Sequence, residues 1–280
     1  MILVTTAGTV GSEAARLLAE RHVPVRVLVR DPKKVTALAD AGVEIAIGDL
    51  EAPSSLDEAM MGVTSVILVS PAVPAQELNV VTSAARAGVE HVVKASSKAS
   101  ADSPIARRRG QSEIEAGLAA SGISHTILRS NAYMQNTLML APAIAKSSAF
   151  GSSAGKGLVG MVDARDVAAV AAHIADAPAG HGGATYWLSG PELISYHDVA
   201  NVLSDLLGRT VTYREIGFDE HKGAMVGAGV PEVIAEQNAQ AFSLTAQGDA
   251  AWTSGDVESI LGRPARSYQQ FVADYARAFS

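Results

Sequence analysis

The chain has 280 residues, 48% of them hydrophobic and 18% charged, with a formal net charge of -7. That length supports one large domain or a core with a small lid, and the composition is too apolar for a disordered chain. The lack of cysteine excludes disulfides, thiolate catalysis and cysteine-built metal or iron–sulfur sites, and the acidic balance gives no basic footprint for nucleic acid or an anionic membrane.

The opening Met1-Ile2-Leu3-Val4 has no cationic n-region, which argues against a secretory signal and for a cytoplasmic location. The apolar stretch 167–174 is interrupted by His173 and too short to span a bilayer, so no membrane association is expected. Residues 2–4 read as a strand that opens into a small-residue turn, with helical period from Ser12 onward. Val25, Val27 and Val29 share one face of a second strand. Asp31-Pro32 then starts a helix, aspartate as N-cap and proline in the first turn, which Gly42 ends. Strands follow at 43–47, 65–69, 91–95 and 124–128, separated by helices at 54–61, 74–87 and 104–121.

Six strands alternating with helices mean right-handed crossovers and a parallel sheet covered on both faces, a Rossmann-type doubly wound α/β fold. Beyond Arg129 the alternation loosens. The pattern predicts a helix over 133–146, a Gly/Ser loop over 150–157, a short strand at 159–162, a helix over 163–177 and a seventh strand at 184–188. From Gly190 helices dominate, near 196–207, 231–242 and 268–279, with one strand at 211–214. The expected organisation is a nucleotide-binding core at 1–189 and a smaller helix-rich substrate lid at 190–280, with 131–157 contributing to the crevice.

The turn Thr5-Thr6-Ala7-Gly8-Thr9-Val10-Gly11 lies between the first strand and first helix, where a dinucleotide pyrophosphate meets the unpaired N–H groups and positive dipole of a helix N-terminus. Gly8 would let the backbone approach the phosphates and Gly11 would let helix and strand pack closely. Thr5 stands where the fingerprint has a further glycine. Cofactor choice is read at the end of the second strand, in Arg30-Asp31-Pro32-Lys33-Lys34. The planar fork of Arg30 suits a 2′-phosphate, and Lys33 or Lys34 adds a cation. Asp31 either caps the helix or binds the ribose hydroxyl of NAD. NADP(H) is favoured, with NAD(H) as the alternative.

Several segments carry a resemblance. They are 2–11, Val27-Leu28-Val29-Arg30-Asp31-Pro32, Gly48-Asp49-Leu50, Gly88-Val89-Glu90-His91-Val92-Val93, Ser121-Gly122 with Thr126-Ile127-Leu128-Arg129, and Val162-Asp163-Ala164-Arg165-Asp166-Val167. In these the chain resembles the NmrA-like, atypical branch of the short-chain dehydrogenases/reductases, in particular members that reduce quinones and triphenylmethane dyes. The resemblance implies that Asp49 and Leu50 hold the adenine, that Ser70 with Pro71 lies along the ribose, and that Ala95 and Ser96 approach the nicotinamide. Other members of the family are implied to be sensors that bind the cofactor without turning it over.

The superfamily's tyrosine and lysine pair, counted back from Thr126-Ile127-Leu128-Arg129, falls at Arg107 and Gln111, so both groups are absent. Hydride transfer to an acceptor that delocalises the added electrons makes a smaller demand, because positioning does most of the work and protons follow from water. The expected reaction is therefore NADPH-dependent reduction of a small planar acceptor such as a quinone or dye, with a non-catalytic NADP(H) sensor as the alternative. Candidate helpers are Lys98, which could polarise an acceptor oxygen, Tyr133, whose ring could stack on a flat acceptor, and Asn131. No pair of histidines has metal-ligand spacing, so no metal is expected. The oligomeric state, monomer or homodimer, is left open by the sequence.

Overall fold

A computed structural model describes residues 1–279. In chain order the elements are β1 (Ile2–Val4), α1 (Thr9–Glu20), β2 (Val25–Val29), α2 (Thr36–Asp40), β3 (Glu44–Ile47), α3 (Pro53–Ala59), β4 (Ser65–Leu68), α4 (Pro74–Ala87), β5 (His91–Ser96), α5 (Ala106–Ala120) and β6 (Ser124–Ser130). They continue with α6 (Ala141–Ser147), β7 (Ala149–Ser152), α7 (Ala164–Asp176), β8 (Thr185–Leu188), α8 (Tyr196–Leu207) and β9 (Thr212–Glu215). The last helices are α9 (Phe218–Gly227), α10 (Glu232–Ala246), α11 (Asp256–Leu261), α12 (Tyr268–Asp274) and α13 (Ala276–Phe279).

The chain forms two compact units that alternate along the sequence. The first comprises Met1–Ser130, Ala164–Trp187 and Asp256–Arg263. Its sheet has the order β3-β2-β1-β4-β5-β6-β8, with the first six strands paired in parallel. The central strands are apolar on both faces because helices cover both. Leu3, Val66, Leu68 and Val92 pack against Leu56, Val80 and Leu118 of α3, α4 and α5, while α1 and α7 lie on the other side. Strand order reverses between β1 and β4, which opens a crevice at the carboxyl ends of those two strands. At the opposite, amino end of the strands His91 is buried where β5 begins. Its Nε2 lies 2.9 Å from Thr126 Oγ1 and its Nδ1 3.0 Å from Ser124 Oγ. Thr126 gives its own hydrogen to the His181 carbonyl, so the neutral imidazole must carry its proton on Nε2.

The second unit comprises Asn131–Asp163, Leu188–Gly255 and Pro264–Ser280. Its core gathers Phe150, Tyr196, Tyr213, Leu203, Tyr268 and Phe271. Helix α8 starts with a full capping box between Ser195 and Asp198, which holds the Asp198 carboxyl below its usual range.

Several local expectations change here. Helix α1 begins at Thr9 rather than Ser12, because the glycine turn feeds directly into it. The helix expected after Asp31 is a 3₁₀ turn, Pro32–Lys34, followed by the short α2. The 133–146 helix is a 3₁₀ segment, Met134–Leu140, before α6. Proline in the first turn of α6 cannot continue a hydrogen-bond ladder from the preceding turn. The Gly/Ser loop contains a strand, β7, which pairs in parallel with β9. A Cβ on Gly151 would lie 3.2 Å from the Arg214 carbonyl, so glycine permits this close approach. Residues 159–162 make only isolated bridges, and α9 and α11 appear where no helix was expected. Among the described residues no helix is long and apolar enough to cross a membrane.

Candidate active site

The β1–α1 turn is a tight structure with an open end. Gly8 is the N-cap of α1, no side chain caps the helix, and no acid stands in its first turn. A Cβ on Gly8 would meet nothing within 4 Å, whereas one on Gly11 would lie 1.9 Å from the Thr6 carbonyl oxygen and 3.1 Å from Val4 Cγ1. One glycine thus leaves room in front of the helix and the other closes helix onto strand. Thr9 is exposed and Val10 buried, so the first turn presents backbone outward and a hydrophobic anchor inward.

Thr5, at the position of a further glycine, is buried, and its hydroxyl joins two strands. It donates to the Val69 carbonyl at 2.8 Å and accepts from the Val69 N–H at 2.9 Å. Thr6 Oγ1 donates to the same carbonyl at 2.9 Å. The hydroxyls of both threonines therefore staple the turn to the end of β4.

At the end of β2, Arg30 and Lys34 are exposed and have no ion-pair partner among the described residues. Asp31 spends its carboxylate on the Lys33 N–H at 3.0 Å, as the cap of the 3₁₀ turn. This leaves Arg30 as the group that faces outward from the strand end. Asp49 also caps locally, accepting the Glu51 N–H at 3.0 Å, while Leu50 is buried with its carbonyl held by Asn79.

At the ends of β4 and β5 the side chains turn into the protein. Ser70 Oγ donates to Glu77 Oε1 at 2.6 Å and accepts the Ala72 N–H at 3.2 Å; Pro71 beside it is exposed. Ala95 is buried at the end of β5, and Ser96 donates to Glu115 Oε1 at 2.6 Å, with Gln111 Oε1 at 3.2 Å. Glu115 in turn receives Arg129 Nη2 at 2.5 Å, and the Arg129 guanidinium lies 5.2 Å from the Trp187 ring centroid. Gln111, at the place of the absent lysine, is buried within this network, whereas Arg107 is exposed.

The sheet order brings the ends of β3, β2, β1, β4 and β5 side by side, and with them the cofactor residues expected from sequence. Lys98 lies half-buried in the loop after β5, and Tyr133 is half-buried in the second unit. Asn131 lies in the second unit. It is buried, and its amide donates to the Ala250 and Trp252 carbonyls at 3.0 and 3.3 Å while accepting the Ala132 N–H. Both amide hydrogens thus point to backbone carbonyls of the second unit.

Sequence reasoning missed one pair entirely. Lys94 and Glu77 are both fully buried, with Nζ 2.9 Å from Oε2, and Lys94 also donates to the Ala95 carbonyl. Burial pulls the lysine's pKa down against the opposing pull of Glu77. A lone lysine inside an apolar strand of a sheet covered on both faces was the available signal.

An uncapped helix N-terminus, room at Gly8 and an outward guanidinium at the next strand fit a dinucleotide with a 2′-phosphate. Among the described residues no group of three or more histidine, aspartate or glutamate side chains is placed to hold a metal ion. The model of the NmrA-like family matches residues 1–266. The chain belongs to the NmrA-like family. Within reach of this family assignment, the chain is 38% identical over 283 residues to the NAD(P)H azoreductase of Xenophilus azovorans, a match covering 100% of this chain and 99% of that protein. Among solved structures it resembles an NADPH-dependent quinone oxidoreductase from Escherichia coli in complex with NADPH, with a TM-score of 0.89, 29% identity and coverage of 99% and 100% of the two chains. It also resembles the Citrobacter sp. triphenylmethane reductase complexed with NADP(H), with a TM-score of 0.87, 30% identity and coverage of 98% and 99%.

Proposed function

We propose that this NmrA-like chain is an NADPH-dependent oxidoreductase that passes a hydride to a small planar acceptor, a quinone or a dye. The observation that carries the reading is the combination of an open α1 N-terminus at Gly8 with an unpartnered Arg30 one strand away. In this reading the N–H groups at the start of α1 bind the pyrophosphate, and the helix dipole favours its charge. Arg30 meets the 2′-phosphate with charge-assisted hydrogen bonds, and Lys34 adds positive potential beside it. Asp49 and Leu50 border the adenine, Ser70 and Pro71 the ribose, and Ala95 the nicotinamide. When bound, the reduced nicotinamide supplies the hydride.

The residues of this chain supply orientation rather than a strong acid. The superfamily's proton-donating pair is replaced by exposed Arg107 and by Gln111, whose amide oxygen faces Ser96. An acceptor that spreads the incoming charge over a conjugated system needs no protonated partner at the moment of transfer, which suits the acceptors named for the azoreductase, quinone oxidoreductase and dye reductase relatives. Lys98 and Tyr133 are the groups to test for contact with the acceptor, which is a small molecule on this reading.

The test is NADPH oxidation followed at the nicotinamide absorbance against a panel of quinones, azo dyes and triphenylmethane dyes. Turnover with at least one class is expected. Tight NADPH binding with no oxidation across the panel would overturn the enzyme reading in favour of a cofactor sensor, and failure to bind NADPH would overturn both.

A further inference from the structure

A continuous polar chain runs beneath the crevice, and the functional reading gives it no role. It starts at the glycine turn, where Thr5 and Thr6 hold the Val69 backbone. The next residue, Ser70, donates to Glu77 Oε1 at 2.6 Å. Glu77 sits in the first turn of α4, pairs with Lys94 on β5 at 2.9 Å, and Lys94 closes the chain by donating to the Ala95 carbonyl. β4 and β5 are neighbours in register, Leu68 opposite Lys94, so the chain ties together the ends of three adjacent strands and the start of α4.

Such a pair is an unusual way to stabilise a fold. Two ionised groups with no exposed surface lose their hydration, and their mutual attraction does little more than offset that loss, so an apolar pair of similar size would serve a core as well. What an apolar pair could not do is hold Ser70 Oγ and the Ala95 carbonyl by directed hydrogen bonds. Those two atoms belong to the residues that the functional reading sets beside the ribose and the nicotinamide.

We propose that Glu77 and Lys94 are positioning residues that fix Ser70 and the Ala95 carbonyl, and through them the nicotinamide half of the bound cofactor. The proposal rests on the functional reading above. Neither residue touches the cofactor; each acts through the atom it holds. The pair does not serve the adenine end, which lies two strands away at β2 and β3.

The experiment compares three variants of the full chain by titration with NADPH and with 2′,5′-ADP, a probe that carries the 2′-phosphate but no nicotinamide. Glu77→Met with Lys94→Met removes both charges together and so leaves no unpaired buried ion. It should weaken NADPH binding about tenfold or more while binding 2′,5′-ADP as the wild type does. Glu77→Gln with Lys94→Gln, equally uncharged but still able to accept from Ser70 and donate to Ala95, should recover most of the NADPH affinity. If the double Met variant fails to fold, Ser70→Ala carries the test. It leaves the ion pair intact, cuts the link to β4, and should show the same selective loss at about threefold or more. Unchanged NADPH affinity in the variants, or equal losses for NADPH and 2′,5′-ADP, would overturn the proposal. Wild-type protein that binds neither probe would instead overturn the functional reading on which it rests.

Discussion

The two glycines of the β1–α1 turn should separate stability from cofactor binding. In Gly11→Ala the new Cβ would start 1.9 Å from the Thr6 carbonyl oxygen, and since side-chain Cβ atoms keep at least 3.0 Å, that backbone must retreat by more than about 1 Å. Val4 Cγ1 at 3.1 Å blocks the other direction. Retreat of residue 6 pulls against the three hydrogen bonds that Thr5 and Thr6 make to Val69. At about 0.5–1.5 kcal/mol net for each, their loss amounts to roughly 1.5–4.5 kcal/mol of folding stability. Gly8→Ala differs, because the site is open and φ of -75° suits any residue, so stability should change by about 0.5 kcal/mol or less. Its methyl group instead intrudes on the space in front of α1, and NADPH affinity should fall about tenfold or more. Urea unfolding and fluorescence titration measure the two effects on the same samples. Gly11→Ala within about 0.5 kcal/mol of wild type, or Gly8→Ala with undiminished NADPH binding, would refute the reasoning.

Three further outcomes follow from the same geometry. Arg30→Ala should weaken NADPH by about 10- to 100-fold and leave NADH nearly untouched, a loss that shrinks in wild-type comparisons as salt is added; equal losses for both cofactors would mean Arg30 serves only the fold. Burial and the nearby His125 and His181 lower the His91 pKa, so between its folded value and 6.5 the unfolded chain binds a proton that the native chain refuses. Stability is therefore complete above about pH 6.5 and falls as the pH drops through that window. His221, also lowered by burial, adds a slope of the same sign, and His91→Gln should flatten its own share in urea titrations from pH 5 to 8. Gln111→Ala should lower stability by no more than about 1 kcal/mol, since the single Ser96 hydrogen goes to Glu115, and should change turnover less than about tenfold, while a loss of ~100-fold would give Gln111 a part in the chemistry.

The sheet was legible because its signals are local. Runs such as Val25–Val29 and Ile2–Val4 carry strand periodicity, and glycines at 88 and 122 stop the helices before β5 and β6 with positive φ. The glycine turn between β1 and α1 was legible for the same reason, since strand, turn and helix follow one another in sequence. What escaped was long-range. β7 exists only because β9 lies beside it, some sixty residues later, and nothing in a Gly/Ser tract predicts that partner. Asn131 follows β6 directly in sequence, but its hydrogen-bond partners, the Ala250 and Trp252 carbonyls, come from a distant part of the chain. The Glu77–Lys94 pair joins a helix to a strand seventeen residues away, and only the lysine's oddity in an apolar strand hinted at it.

The replaced proton donor has a consequence for acceptor choice. General acid catalysis contributes about 10²- to 10⁴-fold when a positioned group protonates the reacting oxygen. That is about 3–5 kcal/mol of barrier. An isolated ketone leaves its added charge on one oxygen and needs that contribution; a quinone or cationic dye spreads it over a conjugated ring. In this chain Arg107 is exposed, and Gln111 is buried with its amide oxygen facing Ser96, whose own hydrogen goes to Glu115. The strand ends therefore offer a located surface and no tyrosine–lysine acid. Steady-state kcat/KM for a quinone should exceed that for an isolated ketone of similar size by ~100-fold or more, and the ratio should not narrow as the pH is lowered from 8 to 6, because no side chain at those two positions gains a proton in that range. Comparable values for the two acceptors would mean that another group, with Lys98 and Tyr133 the first to replace, performs the proton transfer that the missing pair supplies elsewhere in the superfamily.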